Sequence, residues 1–133
     1  MGMLRVLCLV TLIFVSTAFP AIGGGTDSVV VTKNDNGKDI SVPEGKTIEI
    51  RMEQPAATGY AWEIIGLDET HLKLLAFDSK PLKEGPIAGG PVRKTWRLKA
   101  IKKGQTELRM YNYRTWEGLD KAVGTFNLKI KIN

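Results

Sequence analysis

The chain is 133 residues long and carries 19 Lys and Arg against 14 Asp and Glu, a formal net charge of +5. Its one cysteine and one histidine leave no disulfide framework and no typical Cys/His zinc site. The basic surplus is modest and alternates with apolar residues, as at Arg93, Arg97 and Lys99 or Lys129 and Lys131. That pattern reads as the solvated face of a sheet and argues against nucleic-acid binding.

Met1 to Arg5 is a short positive region, Val6 to Val15 an apolar run, and small residues follow at Ser16, Ala18, Ala21 and Gly23. This order predicts a secretory signal peptide over residues 1–23, with cleavage after Ala18 or after Gly23. The apolar run is too short to span a bilayer comfortably, which weighs against the alternative of a retained anchor. The rest of the chain has the size of one small domain, set at residues 26–133. The expected location is secreted or extracytoplasmic, with the periplasm or cell surface as options. Cys8 leaves with the leader, so the mature domain has no thiol nucleophile and no thiolate ligand, and must hold together by packing alone.

Beyond the leader the dominant period is two. Short strands are predicted at Ser28 to Thr32 and Asp39 to Val42, and Ile48, Ile50 and Met52 then alternate with Glu49, Arg51 and Glu53. Ala61 to Ile65 and Leu72 to Phe77 follow. Next, Val92, Trp96, Leu98 and Ala100 alternate with Arg93, Thr95, Arg97 and Lys99, with Lys94 on the apolar phase near the start. Glu107 to Tyr111 is short again, and Phe126, Leu128, Ile130 and Ile132 form the last apolar phase. Each stretch turns one apolar face inward, as half-buried antiparallel strands require. Asn34 to Gly37 has hairpin-turn chemistry, and Pro43 to Lys46 and Lys102 to Gly104 are similar. At most one turn of helix is expected, around Leu67 to His71 with Asp68 as cap. The fold class is therefore all-β, an immunoglobulin-like β-sandwich of about seven or eight antiparallel strands.

Catalytic chemistry is thin. His71 stands alone, and a lone histidine near a strand start is usually structural or solvent-facing. Asp68 with Glu69, or Asp78 with Glu84, are carboxylate pairs of a kind common on surfaces. No phosphate-binding loop is present; Gly23 to Gly25 belongs to the leader junction. No catalytic set, metal site or cofactor is assigned, and an enzyme is the weaker reading.

Three loops carry more than a turn needs. In Gln54 to Tyr60, Pro55 stiffens the start, Ala56 and Ala57 leave a slim tip, and Gly59 permits unusual backbone angles. Tyr60, Trp62 and Ile64 share one phase of the next strand and are expected to anchor the loop. The segment reads equally as an ordinary turn or as a narrow tip for a cleft, since little side-chain entropy is lost on binding. Gly85 to Pro91 is a Gly/Pro-rich connection, in isolation a flexible hairpin more than a functional loop. Tyr113 to Gly118 holds Trp116 between Arg114 and Glu117. Trp and Arg are enriched in binding hot spots, while a core-packed Trp is an equal alternative.

Taken together, these motifs resemble the chagasin-like family of secreted cysteine-peptidase inhibitors. Members carry an Asn-Pro-Thr-Thr-Gly-Tyr type loop followed by Trp, a Gly-x-Gly-Gly loop leading into a Trp-containing strand, and an Arg-Pro-Trp-Glu loop. Thr58-Gly59-Tyr60-Ala61-Trp62, Ala88-Gly89-Gly90 with Trp96, and Arg114-Thr115-Trp116-Glu117 match them in order. The resemblance covers about residue 26 to the end.

It implies a reversible, non-covalent inhibitor of papain-like cysteine endopeptidases, monomeric and without a cofactor or metal. Pro55, Ala56, Ala57, Thr58, Gly59 and Tyr60 would enter the catalytic cleft. Ala88, Gly89 and Gly90 would grip one side, and Arg114, Thr115, Trp116 and Glu117 the other, with Arg114 reaching carboxylates or carbonyls of the enzyme. The chain departs from the family pattern at Ala56 and Ala57, at Ile87 in place of the first Gly, and at Thr115 in place of Pro. The alternatives are a secreted immunoglobulin-like adhesion or interaction module using the same loops, and an extracytoplasmic hydrolase.

Overall fold

The computed structural model describes residues 28–83 and 90–133. Residues 1–27, with the expected leader over residues 1–23, and the segment from Glu84 to Gly89, which holds Ile87, Ala88 and Gly89, lie outside the described residues. In chain order the strands are β1 (Ser28–Thr32), β2 (Asp39–Val42), β3 (Thr47–Pro55), β4 (Ala61–Ile64), β5 (Leu72–Pro81), β6 (Pro91–Ala100), β7 (Gly104–Tyr113) and β8 (Gly124–Ile132). They form two four-stranded sheets, ordered β1-β3-β6-β5 and β2-β8-β7-β4. This is the expected all-β sandwich.

The period-two residues do what their spacing requires. Ile48, Ile50 and Met52 of one sheet and Leu108, Met110, Phe126, Leu128 and Ile130 of the other are at most 1 % exposed, and Trp62 and Trp96 join the same core. With no cysteine among the described residues, this apolar contact is the main cohesive force. Truncating any one of these fully buried large side chains to Ala is expected to cost about 2–5 kcal/mol.

Two details differ from the sequence expectation. The pairings β3–β6, β5–β6, β4–β7 and β7–β8 are antiparallel, but the edge strands β1 and β2 pair parallel, with β3 and β8 respectively. Asn34 to Gly37 is accordingly not a hairpin. It overlaps a 3-10 turn (Lys33–Asp35), has Gly37 at φ 78°, and carries the chain from one sheet to the other. Pro43 to Lys46 and Lys102 to Gly104 also switch sheets. Turn chemistry reverses the local backbone, whereas the strand's partner is selected by which apolar face needs cover.

The segment around Leu67 to His71 forms a turn and no helix. Asp68 Oδ1 accepts from the Thr70 N–H at 3.1 Å, and its carbonyl accepts from the Leu72 N–H at 2.9 Å as β5 begins. Asp68 Oδ2 is drawn sideways, accepting from Thr106 Oγ1 at 2.8 Å and lying 2.7 Å from His71 Nδ1. Asp68 thus ties the turn to β7, and the lone histidine is bonded within that turn. Hydrogen bonds from Thr106 and then His71 hold the Asp68 carboxyl below its ordinary value of 3.8. A lowered folded-state pKa stabilises the fold above pH 3.8 and loses that contribution as pH falls through the lower folded value. Thermal melts of Asp68→Asn should therefore lie below those of the parent at neutral pH and converge with them under strong acid. Parallel curves down to the lowest pH would show that the carboxylate charge contributes nothing.

Candidate functional site

Strand register brings the loop ends together. Pro55, the last residue of β3, stands opposite Pro91, the first of β6. Ala61, the first of β4, stands opposite Tyr113, the last of β7. The three loops therefore leave one end of the sandwich side by side, with Ala56 to Tyr60 in the middle. Leu82 N–H donates to the Pro91 carbonyl at 3.0 Å and extends the ladder into the second connection. Of that loop's candidates, Gly90 is half-buried at its exit, while Ala88 and Gly89 fall outside the described residues.

The central loop is one 3-10 turn (Ala56–Thr58) ended by Gly59 in the left-handed region at φ 77° and ψ −9°. Two constraints meet at Gly59. Its φ disfavours any side chain, and a Cβ there would overlap Trp116 Cη2 and lie 3.0 Å from Cζ2. The indole thus runs against the backbone of the central loop. Trp116 is nevertheless 71 % exposed, so the alternative of a core-packed Trp is set aside.

Arg114 joins the two loops. Its Nε donates to the Thr58 carbonyl at 2.8 Å, and its guanidinium sits 4.2 Å from the centre of the Tyr60 ring and 5.9 Å from that of Trp116. Glu117 Oε1 accepts from Arg114 Nη1 at 3.2 Å. The Glu117 N–H donates to the Arg114 carbonyl at 3.0 Å, closing a turn with Thr115 at its second position. That position favours Pro, so Thr115 costs rigidity in an otherwise suitable turn. The sequence left Arg114 free to reach outward; the geometry commits it inward.

Gln54 has a role that its sequence context left unassigned. Its side chain is 7 % exposed. Nε2 donates to the Tyr60 carbonyl at 3.0 Å, and Oε1 accepts from the Trp62 N–H at 2.9 Å. One amide therefore closes the neck of the central loop, joining β3 to β4 across the two sheets. The signal was available: Gln54 continues the inward phase of Ile48, Ile50 and Met52. A buried polar residue in an apolar phase points to a specific partner. Of the expected anchors, Trp62 is buried, and Tyr60 and Ile64 are half-buried. Among the described residues, no three His, Cys, Asp or Glu side chains come together to hold a metal ion.

The sequence pattern described as chagasin family peptidase inhibitor I42 matches residues 41–130. The chain belongs to the chagasin family. No curated protein matches it significantly. Among solved structures, it is similar to the cysteine protease inhibitor EhICP2 from Entamoeba histolytica, at 21 % identity and a TM-score of 0.72 over 80 % of this chain and 96 % of that one. It is also similar to ICP from Leishmania mexicana, at 22 % identity and 0.55 over 87 % and 96 % of the two chains. PbICP-C, solved in complex with falcipain-2, gives 20 % identity and 0.52 over 86 % and 96 %. At these identities the structural likeness speaks for the shared chagasin fold.

Two outcomes test this geometry. Gln54→Ala should destabilise the fold by about 1–3 kcal/mol, because the Trp62 N–H and the Tyr60 carbonyl lose their partner. Chemical denaturation measures it. Trp116→Ala should leave the midpoint almost unmoved, since most of the indole faces water.

Proposed function

We propose that this chagasin-family chain is a secreted, reversible, non-covalent inhibitor of papain-like cysteine endopeptidases that blocks the catalytic cleft with one end of its sandwich. The observation that carries the reading is the braced pair of loops at that end, a slim 3-10 tip with an exposed indole beside it. Family membership and the falcipain-2 complex of the similar PbICP-C support it.

The tip, Pro55 to Tyr60, enters the cleft. Ala88 to Gly90 lies along one wall, and Thr115 to Glu117 lies along the other. Trp116 supplies apolar contact area. Arg114 acts as a positioning residue, holding the tip in its binding shape before the enzyme arrives, so that less ordering entropy is lost on docking.

The same bond suggests why the tip is not cut. Hydrolysis requires a scissile carbonyl that can turn its oxygen toward donors of the enzyme. The Thr58 carbonyl is already taken by Arg114 Nε, and Gly59 follows in a left-handed conformation rather than an extended one. The leader over residues 1–23 would deliver the domain outside the cytoplasm, where no disulfide is required because the core suffices. Intact mass of the exported protein distinguishes cleavage after Ala18 from cleavage after Gly23.

Titration of papain and a cathepsin L-like enzyme should give stoichiometric inhibition at sub-micromolar concentration. Trp116→Ala should weaken it by about 2 kcal/mol, roughly 30-fold. Arg114→Ala should also weaken inhibition, and prolonged incubation should then release fragments cut between Thr58 and Gly59, seen by mass spectrometry. Failure to inhibit any papain-family enzyme would sink the proposal. An intact Arg114→Ala tip would remove only the account of its resistance to cleavage.

A further inference from the structure

Edge strand β5 is unlike the other strands. Leu74, Leu75 and Phe77 are 46 %, 49 % and 51 % exposed, and β5 ends its sheet, so among the described residues one side of its backbone has no neighbouring strand. Natural proteins usually blunt such an edge, because its unpaired peptide groups can template another strand. Here the pattern of those groups is informative.

The Ile101 N–H donates to the His71 carbonyl, and the Leu82 N–H donates to the Pro91 carbonyl. Residues 71 and 82 therefore both face β6. Their odd separation is reconciled by the bulge between Leu74 and Ala76. Alternation from both ends turns the peptide groups of Leu72, Leu74, Phe77 and Ser79 away from β6, toward the open edge. These four positions are symmetric about a point between Leu75 and Ala76. An antiparallel second copy of β5 can therefore pair Leu72 with Ser79 and Leu74 with Phe77, with one bulge matched against the other; the Leu72 N–H already donates to the Asp68 carbonyl, so the Leu72–Ser79 pair is made by the Leu72 carbonyl accepting from the Ser79 N–H. Without the bulge, a twofold axis between those two residues would pair outward-facing groups with inward-facing ones.

The side chains agree with that register. Lys73 falls opposite Asp78 of the second copy, twice by symmetry. Within its own sheet Lys73 stands opposite Lys99, a like-charge pairing that an acidic neighbour on the other side offsets. Asp78 stands opposite Thr95, and its one ion-pair partner among the described residues is Lys80, itself exposed, at 3.5 Å. Leu74 and Phe77 lie opposite the buried Leu98 and Trp96, on the core side of the rim, and would meet Phe77 and Leu74 of the second copy there.

We propose that β5 is a self-recognition edge through which two copies of this chain, monomeric at low concentration as the family resemblance implies, form a weak antiparallel dimer at high concentration, joining their sheets across Lys73–Asp78 pairs. The twofold axis sends the two loop ends in opposite directions, since β5 runs from His71 toward the loop end at Pro81. Both loop ends stay open in the dimer, so the inference is independent of what the loops bind.

Sedimentation equilibrium of the full chain, from micromolar to millimolar concentration, tests it. The chain should shift from monomer to dimer across that range. Lys73→Asp and Asp78→Lys should each weaken association about tenfold, and the two together should restore it. The double variant also guards against a trivial loss of folding. A chain that stays monomeric throughout, an association indifferent to both single reversals, or a double variant as weak as the singles would each overturn the proposal.

Discussion

One buried amide governs how the loop end is built. Gln54 sits where the inward row Ile48, Ile50, Met52 would place another apolar side chain, and it bonds both the Tyr60 carbonyl and the Trp62 N–H. Remove it, and two backbone groups at the junction of the sheets lose their partner where water cannot replace it well. Keep it, and the chain leaving β3 must re-enter β4 at a fixed point. The short 3-10 tip, the left-handed Gly59 and the seat of Trp116 all follow from that closed neck.

The loop end is stiffened by contacts between loops more than within them. Arg114 combines a hydrogen bond to Thr58, a cation over the Tyr60 ring and an ion pair with Glu117. Exposed ion pairs alone contribute little, and a cation over an aromatic ring at a surface contributes about 0.5–1 kcal/mol. Their value here is geometric: together they allow the guanidinium one position. This offsets the absence of Pro at Thr115, whose loop is held from the side in place of being stiffened along its own backbone.

Much of this was legible in the residues. Alternation in β3, β6 and β8, broken only at Lys94, announced which side chains form the core, and the three loop motifs announced the family. The sheet-switching connections were not legible, because Asn34 to Gly37 carries the same turn chemistry whether the next strand returns beside the last or crosses to the other sheet. Strand β5 extends to Pro81, past the expected end at Phe77, because the bulge at Leu75 breaks the period that would mark a continuous strand. The inward commitment of Arg114 depends on a contact 56 positions away, which no local pattern encodes.

The three tryptophans are distributed in a useful way. Trp62 and Trp96 are each 4 % exposed, and Trp116 is 71 % exposed. A collisional quencher in solution therefore meets essentially one indole, and that indole stands at the loop end. The protein carries its own optical reporter: the red edge of its emission senses solvent at Trp116, while the two sealed indoles supply an internal standard. Occupation of the loop end should be visible in the native fluorescence without any label.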